Sequence, residues 1–487
     1  MDNFRRMAKN TSVLTIMNIA TLLLSLVFTI IIARSFGDVN FGEYSSAVAL
    51  TSLYALIMDL GFNQLIIREV SREKEVAGKF LGNISIIKLV LAIIFFITIV
   101  ITTNVLNFSY NTQILTYIMS IYAICTSYGG LFRAIFHGFE RMEYNSLITI
   151  LEKIFIVLSS FFMVYLGTNF INVVSVFIIA GIINVTLSLL ITVKKFTKIK
   201  LEIDSTFWKK TIVNAIPFGI TDIFIFIFDR IDIIMLSILI GEAAVGWYNA
   251  AVTIIVALGF IPSVIMNSAF PILSRFYLSA ENSLEYAYVN LFRYIFIITL
   301  PISIIISLFS NQLILLIYGN AFANAIIVLK IIAWWHLFGS IGWLLGTTLQ
   351  SINKQKMFAF AALTGAIFNV IINLILIPKL SYIGASLSTL ISDLILLSIL
   401  FYFVSKYLYR LPLFKIIIKP LISGIIMSIF IILFNNINLF VIVPISLLLY
   451  LTVLYILGEI SKEDIKMLKY FLKMYGGIIE FFKTKNS

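Results

Sequence analysis

The chain has 487 residues, of which 61% are hydrophobic and only 12% are charged. A soluble domain carries about twice that charged fraction, so the composition excludes a soluble globular protein and predicts a polytopic membrane protein. In a soluble protein the formal net charge of +12 would suggest binding to nucleic acid. In a membrane protein the basic residues are instead interpreted by the loops in which they lie, and no nucleic-acid partner is expected. The single cysteine excludes an internal disulfide, the two distant histidines argue against a metal site, and no cofactor is expected.

Long apolar stretches alternate with short polar ones along the whole chain. About 20 apolar residues are needed to cross a bilayer, and this rule predicts an all-α integral membrane protein with about 14 transmembrane helices. The first six are predicted at 11–33, 43–64, 80–103, 113–136, 146–166 and 171–193. A basic linker at 194–210 precedes six more at 212–239, 247–270, 289–310, 324–348, 357–378 and 383–405, and a final pair follows at 416–434 and 439–458.

These helices divide the chain into an N-lobe (1–200), a C-lobe (201–408), a two-helix hairpin (409–458) and a tail (459–487). In the tail, Ser461 and Asp464 match a capping box, and the apolar residues that follow share one helix face. The tail is therefore expected to be a cytoplasmic amphipathic helix on anionic lipid, or alternatively a helix that binds a partner protein.

Lysine and arginine are distributed unevenly between alternate loops. With the N-terminus placed inside, the inside segments hold 26 of the 35 basic residues, and the outside loops hold two, Arg34 and Lys379. Because short loops rich in lysine and arginine stay in the cytoplasm, this ratio predicts a multi-pass protein of the cytoplasmic membrane with both termini in the cytoplasm.

One glycine–tyrosine pattern occurs twice, 204 residues apart. The spacing G-x4-G-x-Y-x2-A-V appears once in each predicted lobe, at Gly37, Gly42, Tyr44, Ala47 and Val48 and again at Gly241, Gly246, Tyr248, Ala251 and Val252. Such a repeat predicts two lobes of about 200 residues related in the parallel sense that some transporters use.

Ionisable residues inside the predicted membrane helices are the main chemistry that the chain offers, because each charge at mid-bilayer costs about 3 kcal/mol. By helical rise, four cations fall in the cytoplasmic half of the membrane, and two others, Arg230 and Lys330, fall in the outer half. The four are Lys88, Arg133, Lys153 and Arg293. The acids are Asp59, Glu152, Asp222, Asp229, Asp232 and Asp393.

Some of these charges have a simple structural explanation. Arg133 and Arg293 lie near predicted helix ends, from which they could reach the headgroups, and Asp59 could pair with Arg68. Cations held in a partly desolvated cavity could instead bind a pyrophosphate, which predicts an anionic cargo. The candidate cavity residues are Arg34, Asp59, Lys88, Arg133, Lys153, Asp222, Arg230 and Arg293.

The seventh predicted helix carries the sequence DRxD, in which Asp229 and Asp232 share a helix face. One interpretation is a structural salt bridge between helices. The other is a gate, because Arg34 ends the first helix and these two acids lie one to two turns deeper in the matching helix. We therefore expect Arg34 to pair with Asp232 or Asp229 across the lobes when the outside is shut.

Several segments share a loose pattern of glycine, proline and aromatic positions. They are 33–50, 59–69, 132–154, 216–237, 245–251, 315–325 and 369–392. Together they resemble the polysaccharide-transport branch of the multidrug/oligosaccharidyl-lipid/polysaccharide exporter superfamily, which includes O-antigen flippases.

The resemblance implies two six-helix lobes around a central cavity lined mainly by helices 1, 2, 7 and 8, plus two extra C-terminal helices. It also implies alternating access for a polyprenyl-(pyro)phosphate-linked oligosaccharide, which would move from the cytoplasmic to the outer leaflet for surface polysaccharide biosynthesis. Lys88, Arg133, Lys153 and Arg293 lie outside that helix set. A glycan polymerase or glycosyltransferase would be a fitting partner at the basic linker or tail.

No G-x4-GK[ST] motif is present, so the chain is not expected to hydrolyse ATP. Energy would come from an H+ or Na+ gradient or from product removal outside, and the candidate ion carriers are Asp59, Glu152, Asp222 and Asp393. The alternatives are a cation-coupled multidrug antiporter of the same superfamily and a lipid II flippase. A membrane enzyme is disfavoured by the short outside loops, and a scaffold is disfavoured by the many membrane charges.

Overall fold

The computed structural model describes residues 2–200, 202, 204–279, 281–434 and 436–460. These residues form helices and short connections, and no strand occurs among them. The predicted tail helix from Ser461 lies outside the described residues. The helices are α1 Asp2–Asp59, α2 Phe62–Arg72, α3 Ala77–Val105, α4 Tyr110–Gly138, α5 Met142–Tyr165, α6 Phe170–Lys195, α7 Ser205–Leu239, α8 Glu242–Leu258, α9 Phe260–Ser279, α10 Glu281–Leu308, α11 Ser310–Ile317, α12 Ala325–Ser351, α13 Gln355–Tyr407, α14 Leu413–Leu433 and α15 Leu439–Ile456.

Eleven described segments are long and apolar enough to cross a membrane. Two of them belong to the bent helices α1 and α13, whose backbones leave helical geometry at Gly37 and Ser381, so each of these crosses twice. The 35 residues of α7 are also sufficient for a crossing. Counting these three additions gives fourteen crossings, in agreement with the number expected from the sequence.

The helices of each lobe pack on one another, and one hydrophobic cluster contains residues of both lobes. In the N-lobe, α4 packs on α6, and α1 packs on α4 and α5. In the C-lobe, α12 packs on α10 and α13, while α7 packs on α13. The hairpin of α14 and α15 lies against α10, where the Tyr450 hydroxyl donates to the Ile297 carbonyl over 3.1 Å.

Polar side chains set several helix starts. Ser109 and Asn169 accept hydrogen bonds from the first turns of α4 and α6, which satisfies backbone N–H groups that lack a helical partner. Asp204 does the same for α7 by accepting from the Phe207 N–H over 3.0 Å. This cap explains why α7 begins at Ser205, well before the predicted start at residue 212.

Three features differ from the predicted helix set. The short helices α2 and α11 were not predicted, because a rule based on crossing length does not detect helices of 11 and 8 residues. The predicted crossing at 247–270 is two helices, α8 and α9, which meet at Gly259.

The two copies of the repeat turn in the same way. Gly37 has φ of 81° between the two halves of α1, and its counterpart Gly241 has φ of 121° just before α8. Residues with a side chain rarely adopt these values, so the first glycine of the pattern allows the chain to reverse. We call the end of the molecule that carries the Gly37 turn the bend end, and the end that carries the 194–210 connection the linker end.

Candidate functional site

The lobes meet at the bend end through two closely packed backbones. A Cβ atom added to Gly42 would lie 1.8 Å from the Glu242 carbonyl oxygen, and one added to Gly246 would lie 2.1 Å from the Asp38 carbonyl oxygen. Gly42 and Gly246 are repeat counterparts, as are Asp38 and Glu242. The second glycine of the pattern therefore lets α1 and α8 touch around a pseudo-two-fold axis.

Polar groups join the lobes around these glycines. The Trp247 indole N–H donates to the Asp38 carboxylate over 2.7 Å. The Glu242 carboxylate accepts from Ser46 and, over 3.2 Å, from Thr112. We call this contact zone the interlobe seam, defined by Asp38, Gly42, Ser45 and Ser46 on α1 and by Glu242, Gly246, Trp247 and Asn249 on α8.

The predicted pairing of Arg34 with Asp232 or Asp229 is not formed in this structure. The Arg34 guanidinium instead donates across the lobes to the carbonyls of Leu316 and Ile317, in the latter case over 2.8 Å. These carbonyls end α11, where unpaired oxygens and the helix dipole attract a cation. Because α11 was not predicted, the estimate from depth alone missed this partner.

Asp232 has different neighbours, all within the C-lobe. Its side chain is 3% exposed and accepts hydrogen bonds from the Tyr248 hydroxyl and, over 3.1 Å, from the Thr389 hydroxyl. Asp393 follows one turn after Thr389 and is equally buried. One oxygen of Asp232 and one of Asp393 have no hydrogen-bond partner among the described residues.

Two other charged residues of α7 lie near these acids. Asp229 is exposed and lies within electrostatic range of Asp393. Arg230 is half-buried and lies within electrostatic range of both Asp229 and Asp232. The side chain of Asp222 lies outside the described part of the chain, so its predicted role stays a prediction.

Lys88 is the centre of a first polar group in the N-lobe. Its side chain is 1% exposed, and its ammonium contacts the Asp59 carboxylate at 3.0 Å. It also donates to the Ser127 carbonyl and hydroxyl, over 3.1 and 3.0 Å. In this structure Asp59 pairs with Lys88 rather than with Arg68, which lies on α2 and contacts Glu69 at 2.8 Å.

A second polar group connects α4, α5 and α6. The Tyr122 hydroxyl donates to Glu152 over 2.6 Å, and the Asn184 amide donates to the other Glu152 oxygen. Arg133 donates to the Asn184 carbonyl oxygen, so in this structure its guanidinium is held by a polar group inside the lobe. Lys153 is half-buried and within electrostatic range of Glu152.

The structure brings together only part of the predicted cationic patch. Lys88 and Arg133 lie within electrostatic range of one another. Arg293 lies in the other lobe, on α10, where it is 4.0 Å from Glu459, and Lys419 approaches the same carboxylate at 3.4 Å. This placement fits a structural pairing of α10 with the end of the hairpin.

Several polar residues of these groups were not singled out from the sequence. Asp38 and Glu242 could have been found by extending the repeat, since both are acidic at an offset of 204 residues. Tyr248 belongs to the repeated pattern itself. Asn184 and Thr389 carried no sequence signal, because isolated polar residues are common in membrane helices.

Comparisons with known proteins place the chain among membrane transporters. Residues 7–277 match the family model described as Polysaccharide biosynthesis protein, and residues 217–375 match the model described as MatE. The chain is 25% identical over 409 residues to the "Capsular polysaccharide biosynthesis protein CapF" of Staphylococcus aureus, covering 82% of this chain and 100% of CapF.

Two further likenesses cover most of the chain. It is 22% identical to the "Probable low-salt glycan biosynthesis flippase Agl15" of Haloferax volcanii, over 74% of this chain and 75% of that one. A solved structure of "Lipid II flippase MurJ, inward closed conformation" superposes with a TM-score of 0.77 at 18% identity, covering 91% of this chain and 99% of the other. The last likeness establishes the fold alone.

Proposed function

Because the chain belongs to the polysaccharide biosynthesis protein family, we propose that it is a flippase for a polyprenyl-(pyro)phosphate-linked oligosaccharide. It is a transporter rather than an enzyme, and the names of its relatives, which refer to glycan and capsular polysaccharide biosynthesis, support a sugar headgroup as cargo. The cargo would cross the cytoplasmic membrane from the inner to the outer leaflet and supply surface polysaccharide biosynthesis.

The observation that carries this proposal is the interlobe seam. At the bend end the lobes touch through glycine contacts and hydrogen bonds, whereas the covalent connection between them, 194–210, lies at the linker end. Such contacts can separate and re-form, as alternating access requires. The distribution of basic residues, 26 inside and two outside, supports assigning the bend end to the outer face. The seam would then be the shut outer gate, and the contact between Arg34 and the end of α11 would help to close it.

We place the phosphates of the cargo near Lys88 and Arg133. Both are cations of the N-lobe, and each is already held by a polar partner, so a phosphate would compete with Asp59 or with Asn184 for them. Charge-assisted hydrogen bonds are the contacts best suited to a phosphate. Lys153, Arg230 and Asp222 stay in the proposed binding set.

We assign ion coupling to the buried acids of the C-lobe. Asp232 and Asp393 each have an oxygen without a hydrogen-bond partner among the described residues, and burying an unpartnered carboxylate oxygen is costly. Binding of H+ or Na+ would relieve that cost. Asp59 and Glu152 are less suited to this role, because Lys88 and Asn184 already occupy them.

The proposal is tested in a strain that lacks this protein. Lipid-linked oligosaccharide in oriented vesicles is treated with a membrane-impermeant sugar-cleaving enzyme, which reports the leaflet that holds it. We expect complete oligosaccharide to accumulate on the cytoplasmic face while the surface glycan disappears. A normal distribution combined with increased sensitivity to toxic compounds would replace this function with drug antiport.

A further inference from the structure

A pocket of about 480 Å³ with both polar and apolar lining residues opens at the bend end of the C-lobe. Its polar lining includes Lys330, Asn311, Asn324 and Ser310. Lys330 is exposed, and it forms no ion pair with a carboxylate of the described residues. It lies five residues after the start of α12, which is about 8 Å along the helix axis. This depth places a free ammonium close to the headgroup level of the bilayer.

An apolar groove of about 180 Å³ continues from this pocket. Both are lined by Ser307 and Leu308, so the two are contiguous. The groove runs between α10, α12 and α14, and its wall includes Leu300, Ile304, Trp334, Leu421, Gly424 and Ile425. A Cβ atom added to Gly424 would lie 2.9 Å from the Ile304 side chain, so the groove depends on the missing side chain at this position.

We propose that the pocket and groove form one binding site for an anionic membrane phospholipid. The lipid phosphate would contact the Lys330 ammonium and the amides of Asn311 and Asn324, and one acyl chain would lie in the groove. Three features of the structure support this occupant. The site has a cation without an acidic partner among the described residues, a compartment with several polar side chains that is large enough for a headgroup, and an apolar continuation.

The site is separate from the interlobe seam. All its lining residues belong to the C-lobe or to the hairpin, whereas the seam and the proposed phosphate contacts involve the N-lobe. The bound phospholipid is therefore a second ligand and not the transported cargo. This second ligand is independent of the identity of that cargo.

The test measures lipid retention by native mass spectrometry of the purified protein. Phosphatidylglycerol and phosphatidylcholine with identical acyl chains are titrated separately. A basic residue at an anionic lipid surface changes affinity about fivefold, so we expect the protein to retain phosphatidylglycerol about that much better. Lys330→Gln should abolish this preference, and Lys330→Arg should keep it.

The matched control is Lys379→Gln, since Lys379 is another exposed lysine at the bend end that does not line the pocket. We expect this variant to retain phosphatidylglycerol like the unchanged protein. Equal losses in Lys330→Gln and Lys379→Gln would indicate general charge attraction and overturn the proposal. Equal retention of both lipids by the unchanged protein would also overturn it, because no preference for an anionic headgroup would then exist.

The groove is tested with Gly424→Leu, which fills it. Retention of both lipids should fall, and a thermal unfolding curve of the variant checks that it is folded. Inorganic phosphate serves as a soluble probe. If it binds as strongly as phosphatidylglycerol, and Gly424→Leu leaves both unaffected, the ligand is a soluble anion and the lipid assignment is wrong.

Discussion

Asn249 donates a hydrogen bond over 2.8 Å to Ser45, its own counterpart in the other repeat. Repeat counterparts can touch only where the axis that relates the repeats passes between them. The axis of the two lobes therefore runs through the interlobe seam, and opening the seam separates residues that are symmetry-related. This geometry makes the seam the natural place to test for movement.

Cross-linking at this bond should arrest transport. After the single cysteine is removed by Cys125→Ala, Ser45→Cys and Asn249→Cys are joined with a short bis-thiosulfonate cross-linker, which forms a reducible disulfide with each thiol. We expect transport in the double variant to stop on cross-linking and to recover when the linker is reduced. Each single cysteine variant treated in the same way is the control and should stay active. Full activity in the cross-linked protein would show that the seam does not open.

Side chains at the two seam glycines should push the lobes apart. Gly42→Ala or Gly246→Ala places a methyl group against a carbonyl, and overpacking costs about 1–3 kcal/mol. That energy shifts a two-state equilibrium about 5- to 150-fold. The readout is the rate at which a membrane-impermeant maleimide labels Asn249→Cys in the Cys125→Ala background. This rate should rise when the lobes are pushed apart. Gly342→Ala is the control, because nothing lies within 4 Å of a Cβ added there.

Much of the fold was predictable, and the reasons are physical. Length and apolarity determine how many helices cross the membrane, and the repeat at Gly37 and Gly241 shows which residues correspond. The lateral position of a side chain is different, because depth along a helix says nothing about its angle. Arg34 and Asp232 lie at compatible depths, yet one contacts the end of α11 and the other contacts Tyr248 and Thr389.

Loss of Lys88 should destabilise the N-lobe. Breaking a buried ion pair costs about 3–5 kcal/mol, and Lys88→Met should cost less because the Asp59 side chain remains 29% exposed. Adding Asp59→Asn should recover most of the thermal stability, measured by unfolding in detergent. If Lys88 also contacts the cargo, the stable double variant stays inactive; recovered transport would assign Lys88 a structural role only.

Neutralising the buried acids should uncouple transport from the ion gradient. In proteoliposomes with an imposed H+ or Na+ gradient, Asp393→Asn and Asp232→Asn should no longer respond to the gradient, while exchange without a gradient continues. Glu140→Gln, in the exposed α4–α5 connection, is the control. Gradient-driven transport that persists in both variants would exclude these acids as the ion carriers.

The stabilisation that the Asp204 cap gives to the start of α7 should depend on pH. The Phe207 N–H and the Lys79 ammonium lower the pKa of Asp204 below its usual range. The carboxylate therefore stabilises the fold above its unfolded pKa, and this contribution is lost as pH falls through the lower folded pKa. Asp204→Ala should reduce the Tm slightly at neutral pH and not at strongly acidic pH. At neutral pH the Tm of Asp204→Asn, which can still cap the helix, should lie between those of the unchanged protein and Asp204→Ala. A Tm difference between the unchanged protein and Asp204→Ala that is the same at all pH values would contradict this role.

The most direct test of the flippase account uses purified protein in liposomes. A polyprenyl-pyrophosphate-linked oligosaccharide is placed on one face, and a membrane-impermeant glycosidase reports its arrival on the other. We predict rapid transfer with the Cys125→Ala protein, and arrest with the cross-linked Ser45→Cys and Asn249→Cys protein that is reversed by reduction. Transfer no faster than in empty liposomes, or unaffected by the cross-link, would contradict the account.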